Sequence, residues 1–288
     1  MDKQMNTAPN QRGVDPGMHP PPLSPDELES YRQNGFVVPR FRLADQEVSR
    51  LRELMCKLVS DNPTLADKMM NLPHIPGAGS QGLKSTPGWM EFAAHPVIVD
   101  MIEQIVGPDI ILRGSAAFYK RAGNGPATPW HRDSATLPIK PLHALSVWIA
   151  VSDAKIDNAC LRFIPGSHRN QSRGKHRQDP RNGVTFGLTL DESEYDESTA
   201  EDVEIEAGQM VIFDVFTIHG SRSNLGTRER AGYAVRFMPA TSRYEHDAPD
   251  NRDSGSYLPH SSRPLILLRG VDRAGNDFRR GHPAHSDA

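Results

Sequence analysis

Along roughly the first hundred residues the apolar positions recur every three or four places, and from about residue 110 they recur every two. The first regime predicts amphipathic helices and the second half-buried strands. Ser24-Pro25-Asp26-Glu27 supplies a capping serine, a proline at the first helical position and a glutamate three residues after the cap. A short helix therefore starts there, and Gly35 stops it. Val48, Leu51, Met55 and Leu58 share one face of a second helix over about 45–60. Ile98, Met101, Ile102 and Ile105 share one face of a third over about 95–106, ended by Gly107. These helices read as a support layer.

Within 145–152, Leu145, Val147, Ile149 and Val151 point to one side and Ser146, Trp148, Ala150 and Ser152 to the other, a second face too polar for a closed core. Further short strands are predicted near 116–120, 160–164, 203–206, 210–214 and 231–238, with Gly208-Gln209 as a hairpin turn. Many short strands punctuated by Gly, Pro and Asn suggest a sandwich, jelly roll or barrel. Residues 1–23 are Pro-rich and polar and read as a loose tail, and 279–288 as a second tail. Between them 24–278 reads as a single domain, with helical support over about 24–107 and a β core over about 110–240. The polar stretches 170–200 and 242–263 read as long loops.

Composition narrows the function. In 288 residues, 37% are hydrophobic and 24% charged, enough for a sizeable core. Lys plus Arg number 33 against 36 Asp plus Glu, a net charge of −3. That balance gives no footprint for nucleic acid or an anionic membrane. No apolar run is long enough to span a bilayer, and the first residues lack the apolar stretch of a secretory signal, so a cytoplasmic protein is expected. Cys56 and Cys160 fall outside any C-x-x-C spacing and read as two buried structural thiols.

The candidate chemistry lies at His131-Arg132-Asp133, where an imidazole and a carboxylate two residues apart point to one face of an extended strand. The spacing alone is weak, since His285-Ser286-Asp287 repeats it in the C-terminal tail. Its neighbourhood strengthens it: Pro129-Trp130 precede, and His219-Gly220 end an apolar strand further on. Two His and one carboxylate leave positions open on a metal, the arrangement non-haem iron(II) oxygenases use for an oxo-acid and dioxygen. Zinc would accept the same donors. Arg230 shares strand parity with Ala234 and Arg236 and could hold a carboxylate bidentately.

Together these residues resemble the phytanoyl-CoA dioxygenase family of iron(II)- and 2-oxoglutarate-dependent oxygenases. The resemblance runs from about Leu23 to Phe237. It rests on the early helix ending Asn34-Gly35-Phe36, on Pro129-Trp130-His131-Arg132-Asp133, on 147–153, on 158–168 ending Ile164-Pro165-Gly166-Ser167-His168, on Ala207-Gly208-Gln209, and on His219 to Asn224 followed by Arg230. It implies a mainly β fold with flanking helices, the cupin-like double-stranded β-helix or jelly roll. It places Fe(II) on His131, Asp133 and His219, and the 2-oxoglutarate carboxylate on Arg230 with Ser221 and Trp148 assisting. Dioxygen is the second cosubstrate, and the implied reaction hydroxylates a C–H bond of a small or medium-sized organic molecule with release of succinate and CO2. Asp133 argues against the halogenating branch, which carries Ala or Gly there.

This chain departs from many relatives at Arg132, where they have Gln, and at Ser134-Ala135-Thr136, where they have an aromatic residue; these positions border the substrate space in the family, so the resemblance implies the iron chemistry and not the substrate. Arg132, Arg113 and Lys84, with Lys120 and Arg121 nearby, are the expected substrate contacts and point to an anionic substrate. His168 reads as a turn residue; His143, His176, His246 and His260 read as surface residues. A catalytically silent cupin-like binding module and a zinc-dependent hydrolase are the competing readings.

Overall fold

The computed structural model describes residues 23–181, 183–185, 187–250 and 258–283. The expected N-terminal tail up to residue 22, the pair His285 and Asp287, and 251–257 of the second polar loop lie outside the described residues.

Among the described residues the α-helices are α1 (Pro25–Asn34), α2 (Asp45–Asp61), α3 (Trp89–Ala93) and α4 (Pro96–Val106). The cap read from sequence is formed: Glu27 N donates to Ser24 Oγ at 3.3 Å and Ser24 N to Glu27 Oε2 at 2.7 Å. Gly35 ends α1 at φ 82°, a conformation that side-chain-bearing residues disfavour. Val48, Leu51, Met55 and Leu58 of α2 are buried, as are Ile98, Met101 and Ile102 of α4.

The strands are β1 (Phe36–Val37), β2 (Met70–Asn71), β3 (Ile110–Lys120), β4 (Thr128–His131), β5 (Ile139–Lys140), β6 (Leu145–Ala150), β7 (Leu161–Phe163), β8 (His176–Gln178), β9 (Leu188–Leu190), β10 (Glu201–Val203), β11 (Met210–Asp214), β12 (His219–Ser221), β13 (Arg230–Pro239), β14 (Arg243–Tyr244) and β15 (Ile266–Arg269). A major sheet runs β1-β11-β6-β13-β3-β15, with β2 also on β3, and a minor sheet runs β10-β7-β12-β4. Each pairing is antiparallel. The chain crosses from major to minor sheet at β3 to β4, β6 to β7 and β11 to β12, which is jelly-roll winding.

The two faces of β6 divide as their alternation predicts. Leu145, Val147, Ile149 and Val151 join Tyr233, Val235 and Phe237 in a core under α2 and α4. Trp148 and Ala150 face the minor sheet with Phe36, Leu161, Phe163 and Phe213. Each large side chain so buried contributes about 1.5–3 kcal/mol, which fixes the spacing of the sheets and hence of the groups between them.

Three expectations need correction. The stretch 170–200 is not a bare loop: β8 and β9 pair across it, with His176 opposite Leu190. The strand expected at 203–206 is β10, two residues earlier, and Ile205 makes only an isolated bridge to Ala154. Cys160 is buried but Cys56 is exposed, because it sits on the outer side of α2, away from the Val48–Leu58 stripe. Among the described residues no helix is long and apolar enough to cross a membrane.

Candidate metal centre and its cavity

β12 lies between β4 and β7, so His219 stands opposite His131 on one side and Phe163 on the other. The two imidazoles face each other with ring centroids 4.1 Å apart. The strand β4 ends at His131, and Asp133 opens a 3-10 turn instead of continuing the strand. Arg132 between them keeps an extended backbone, so the carboxylate still returns to the face of His131, with Nε2 and Oδ1 3.6 Å apart. One ligand atom each from His131, Asp133 and His219 lie within 4.8 Å of one another.

The surroundings orient these atoms. His131 Nδ1 donates to Pro129 O at 2.9 Å and His219 Nδ1 to Thr217 O at 3.0 Å, which turns both Nε2 atoms inward. Ser146 Oγ donates to Asp133 Oδ2 at 2.8 Å, leaving Oδ1 toward the histidines. Thr217 is itself held by Gly35 O, to which its Oγ1 donates at 2.8 Å, so the end of α1 steadies the loop carrying His219. Such outer hydrogen bonds fix the tautomer and direction of metal-binding imidazoles. Burial, then the neighbouring His131, pushes His219 down to about 3, so the ring is held neutral, the form that binds a metal. Burial alone would raise Asp133, but its hydrogen bond with His131 and the charge of Arg236 hold the carboxyl well below the usual range. Two imidazoles and one carboxylate, pre-aimed at one point, fit a divalent metal with open positions.

About 180 Å³ of cavity lies against this centre, between the two sheets. On the major sheet Arg230 is 1% exposed. Its Nη2 donates to Ser221 Oγ at 3.0 Å, its Nε to Ala159 O at 3.1 Å, and its guanidinium lies 5.0 Å from the Trp148 ring centre. All three residues expected around a carboxylate are thus brought together. Lys120 joins them: its buried Nζ donates to the same Ser221 Oγ at 2.8 Å and to Arg222 O at 2.6 Å. Burial, then the charge of Arg230, holds Lys120 well below the ordinary lysine range. Lys120 pairs with Arg230 across β3 and β13, a register visible only in the folded sheet.

The expected substrate contacts divide. Arg113 is buried and lines the cavity. Lys84 does not: it is exposed, and its backbone N–H and carbonyl are taken by the Asn62 side chain. Arg132 borders the cavity, but its Nη1 donates to Ser167 O, Asn170 O, Ser172 O and Phe216 O at 2.7–3.3 Å, so the guanidinium ties loops together. Arg121 is drawn outward by Asp67 at 3.1 Å. Among the histidines, His143 is exposed and His168 Nε2 contacts Arg32 O at 3.1 Å, away from the metal centre, as a turn residue would. His176 and His260 instead line the cavity, and His246 is buried with Nε2 on Arg263 O at 2.8 Å. Their polar sequence neighbours gave no sign of this, because it is the pairing of β8 with β9 and the return of the chain just before β15 that bring them to the cavity wall.

A family model described as Phytanoyl-CoA dioxygenase (PhyH) matches residues 31–232. The phytanoyl-CoA dioxygenase domain-containing protein 1 homolog of Caenorhabditis elegans is 31% identical over 129 residues, 43% of this chain and 45% of that protein. The match therefore spans a little under half of that relative's length. Ectoine dioxygenase of Bordetella bronchiseptica is 26% identical over 234 residues, 73% of each chain. Among solved structures, CytC3 with Fe(II) and alpha-ketoglutarate has a TM-score of 0.60 at 22% identity, covering 88% of this chain and 91% of that one. That similarity shows a shared fold, the cupin-like double-stranded β-helix.

Proposed function

This chain belongs to the phytanoyl-CoA dioxygenase family, and from that premise we propose that it is an iron(II)- and 2-oxoglutarate-dependent dioxygenase that hydroxylates a C–H bond of a small, anionic organic molecule. The supporting observation is the convergence of His131, Asp133 and His219, with ligand atoms within 4.8 Å and both imidazoles locked by carbonyls. Bound there, iron(II) supplies the oxidative decarboxylation of 2-oxoglutarate to succinate and CO2 that is coupled to hydroxylation.

The protein's part is positioning. Ser146 holds Asp133 in its ligating orientation, and Arg230, Ser221 and Lys120 present donors to the far carboxylate of 2-oxoglutarate. Trp148 carries the Arg230 guanidinium on its face, and Phe213, Leu161 and Phe118 wall the cavity against water. Residues 24–278 act as one catalytic unit in this reading, and the substrate is the small-molecule partner.

The test is anaerobic addition of Fe(II) and then 2-oxoglutarate, which should produce a weak visible charge-transfer band, followed by succinate release in air. His131→Ala and His219→Ala should each lose iron and the band while keeping the fold. A protein that holds zinc, never shows the band and hydrolyses esters without oxygen would refute the proposal. A protein that binds 2-oxoglutarate but never releases succinate would be the silent binding module.

A further inference from the structure

Three arginines from three different elements meet on the side of the cavity beside Asp133. Arg236 comes from β13. Arg113 comes from a bulge in β3: Arg236 pairs with Gly114 and Phe237 with Leu112, leaving Arg113 as the extra residue without a partner across the ladder. A bulge re-aims a side chain, and here it delivers Arg113 into the cavity. The third, Arg263, precedes β15 and crosses over the bulge. Its Nη1 lies 3.2 Å from where a Cβ on Gly114 would sit, a residue held at φ +153°.

None of the three is paired with an acid among the described residues. Arg113 is 4% exposed and its buried Nε has no hydrogen-bond partner. Among the described residues the one side-chain hydrogen bond of Arg236 is to Met69 Sδ at 3.6 Å. Asp133 is the sole carboxylate lining the cavity among the described residues, and it is a metal ligand. Burial, then the charge of Arg236, pushes Arg113 down to about 9, with the charge of Asp133 opposing and that of Arg263 adding to the fall. Arg230 and Lys120 are occupied around Ser221 and do not belong to this group.

We propose that Arg113, Arg236 and Arg263 form a substrate subsite for a doubly charged tetrahedral oxyanion, a phosphate ester or a phosphonate, and that this group anchors the molecule hydroxylated at the metal. The proposal rests on the dioxygenase reading and names the substrate class of that site. A carboxylate is planar, carries one charge and is satisfied by a single guanidinium fork. A phosphoryl group carries about −1.5 to −2 charge at neutral pH and three acceptor oxygens, one for each arginine. The cavity of about 180 Å³ suits a small molecule.

The experiment is calorimetric titration of the anaerobic Fe(II)- and 2-oxoglutarate-loaded protein with methylphosphonate and methyl phosphate, against acetate and malonate, in phosphate-free buffer. Saturating 2-oxoglutarate keeps the probes away from Arg230. Wild type should bind at least one of the two phosphoryl probes, which also tells phosphonate from phosphate ester, and should bind it at least tenfold more tightly than either carboxylate. Affinity should fall with added salt, and Arg113→Gln and Arg263→Gln should each lose tenfold or more, since each removes a charge-assisted contact. Arg263 lies outside the central strands, so Arg263→Gln serves if Arg113→Gln does not fold. Equal binding in the folded variants, tighter binding of malonate or acetate, or no phosphoryl binding at all would overturn the subsite while leaving the dioxygenase reading intact. Failure of wild type to form the charge-transfer band would overturn both.

Discussion

Removing Arg230 tests the cosubstrate pocket through a group that touches no metal ligand. The guanidinium is held by Ser221, by Ala159 and by the Trp148 face, so it is already in place for a carboxylate. A charge-assisted contact is worth about 1.5–3 kcal/mol, roughly 10- to 150-fold in affinity. Lys120 limits the loss. Its Nζ reaches the same Ser221 Oγ at 2.8 Å, and part of what holds its pKa down is the charge of Arg230 itself. In Arg230→Ala that repulsion disappears, Lys120 carries more charge, and it takes over part of the carboxylate. The expected result is the lower part of the range, about 10- to 30-fold weaker 2-oxoglutarate. In the double variant with Lys120→Met, the loss should exceed the sum of the single effects in free energy, because each residue covers for the other. The assay is anaerobic titration of the Fe(II) protein with 2-oxoglutarate, read from the charge-transfer band and checked by calorimetry. An unchanged Kd in Arg230→Ala would refute the anchor, and strict additivity would refute the shared carboxylate.

A Cβ on Gly232 would overlap the Trp148 ring; overpacking of this kind costs about 1–3 kcal/mol, so Gly232→Ala should lower Tm and weaken 2-oxoglutarate together. A lower Tm with an unchanged Kd would show that the ring does not position Arg230. Arg132→Gln strands carbonyls at 167, 170, 172 and 216 and should cost about 1–3 kcal/mol in urea unfolding; an unchanged midpoint would count against its role as a tie between loops. His74 is pushed down to about 3, first by burial and then by the charges of Arg263 and His282. The unfolded chain therefore takes up this proton first as pH falls from about 6.5, and the folded state loses about 1.4 kcal/mol per pH unit from this group, roughly 2 kcal/mol by pH 5. Relative to His74→Gln, wild type should lose that much urea stability between pH 7 and pH 5, and parallel pH profiles would refute the assignment.

The helices and β6 were legible because their signals are local. A cap, a proline and a terminal glycine define α1 within a few residues, and strict alternation defines both faces of β6. The short strands β1, β2 and β15 were not legible, since two to four residues carry no period and form strands only because β11 and β3 offer edges to pair with. The candidate metal centre stood between these cases. His131 and Asp133 are a local pair, but only the register of β12 on β4 brings His219 opposite His131, and before folding it was the family resemblance that joined them.

The basic residues show why charge read along a chain misplaces a binding site. Lys84 and Arg132 are close in sequence to the elements that matter, yet one faces solvent and the other spends its donors on carbonyls. Strand parity fails for Arg113 in a definite way. Ser115 and Ala117 stand opposite Val235 and Tyr233, which face the helices, so unbroken alternation would send Arg113 to that same side. One extra residue in β3 reverses it, and the local trace of that bulge in the sequence is Gly114, one glycine among 23. Arg263 enters from beyond the jelly-roll strands to complete the group. A net charge of −3 therefore coexists with a cavity lined by three arginines that form no ion pair among the described residues, because acids and bases that balance in composition are separated by the fold: acids such as Asp67 pair outside with partners such as Arg121, and these guanidinia line the cavity.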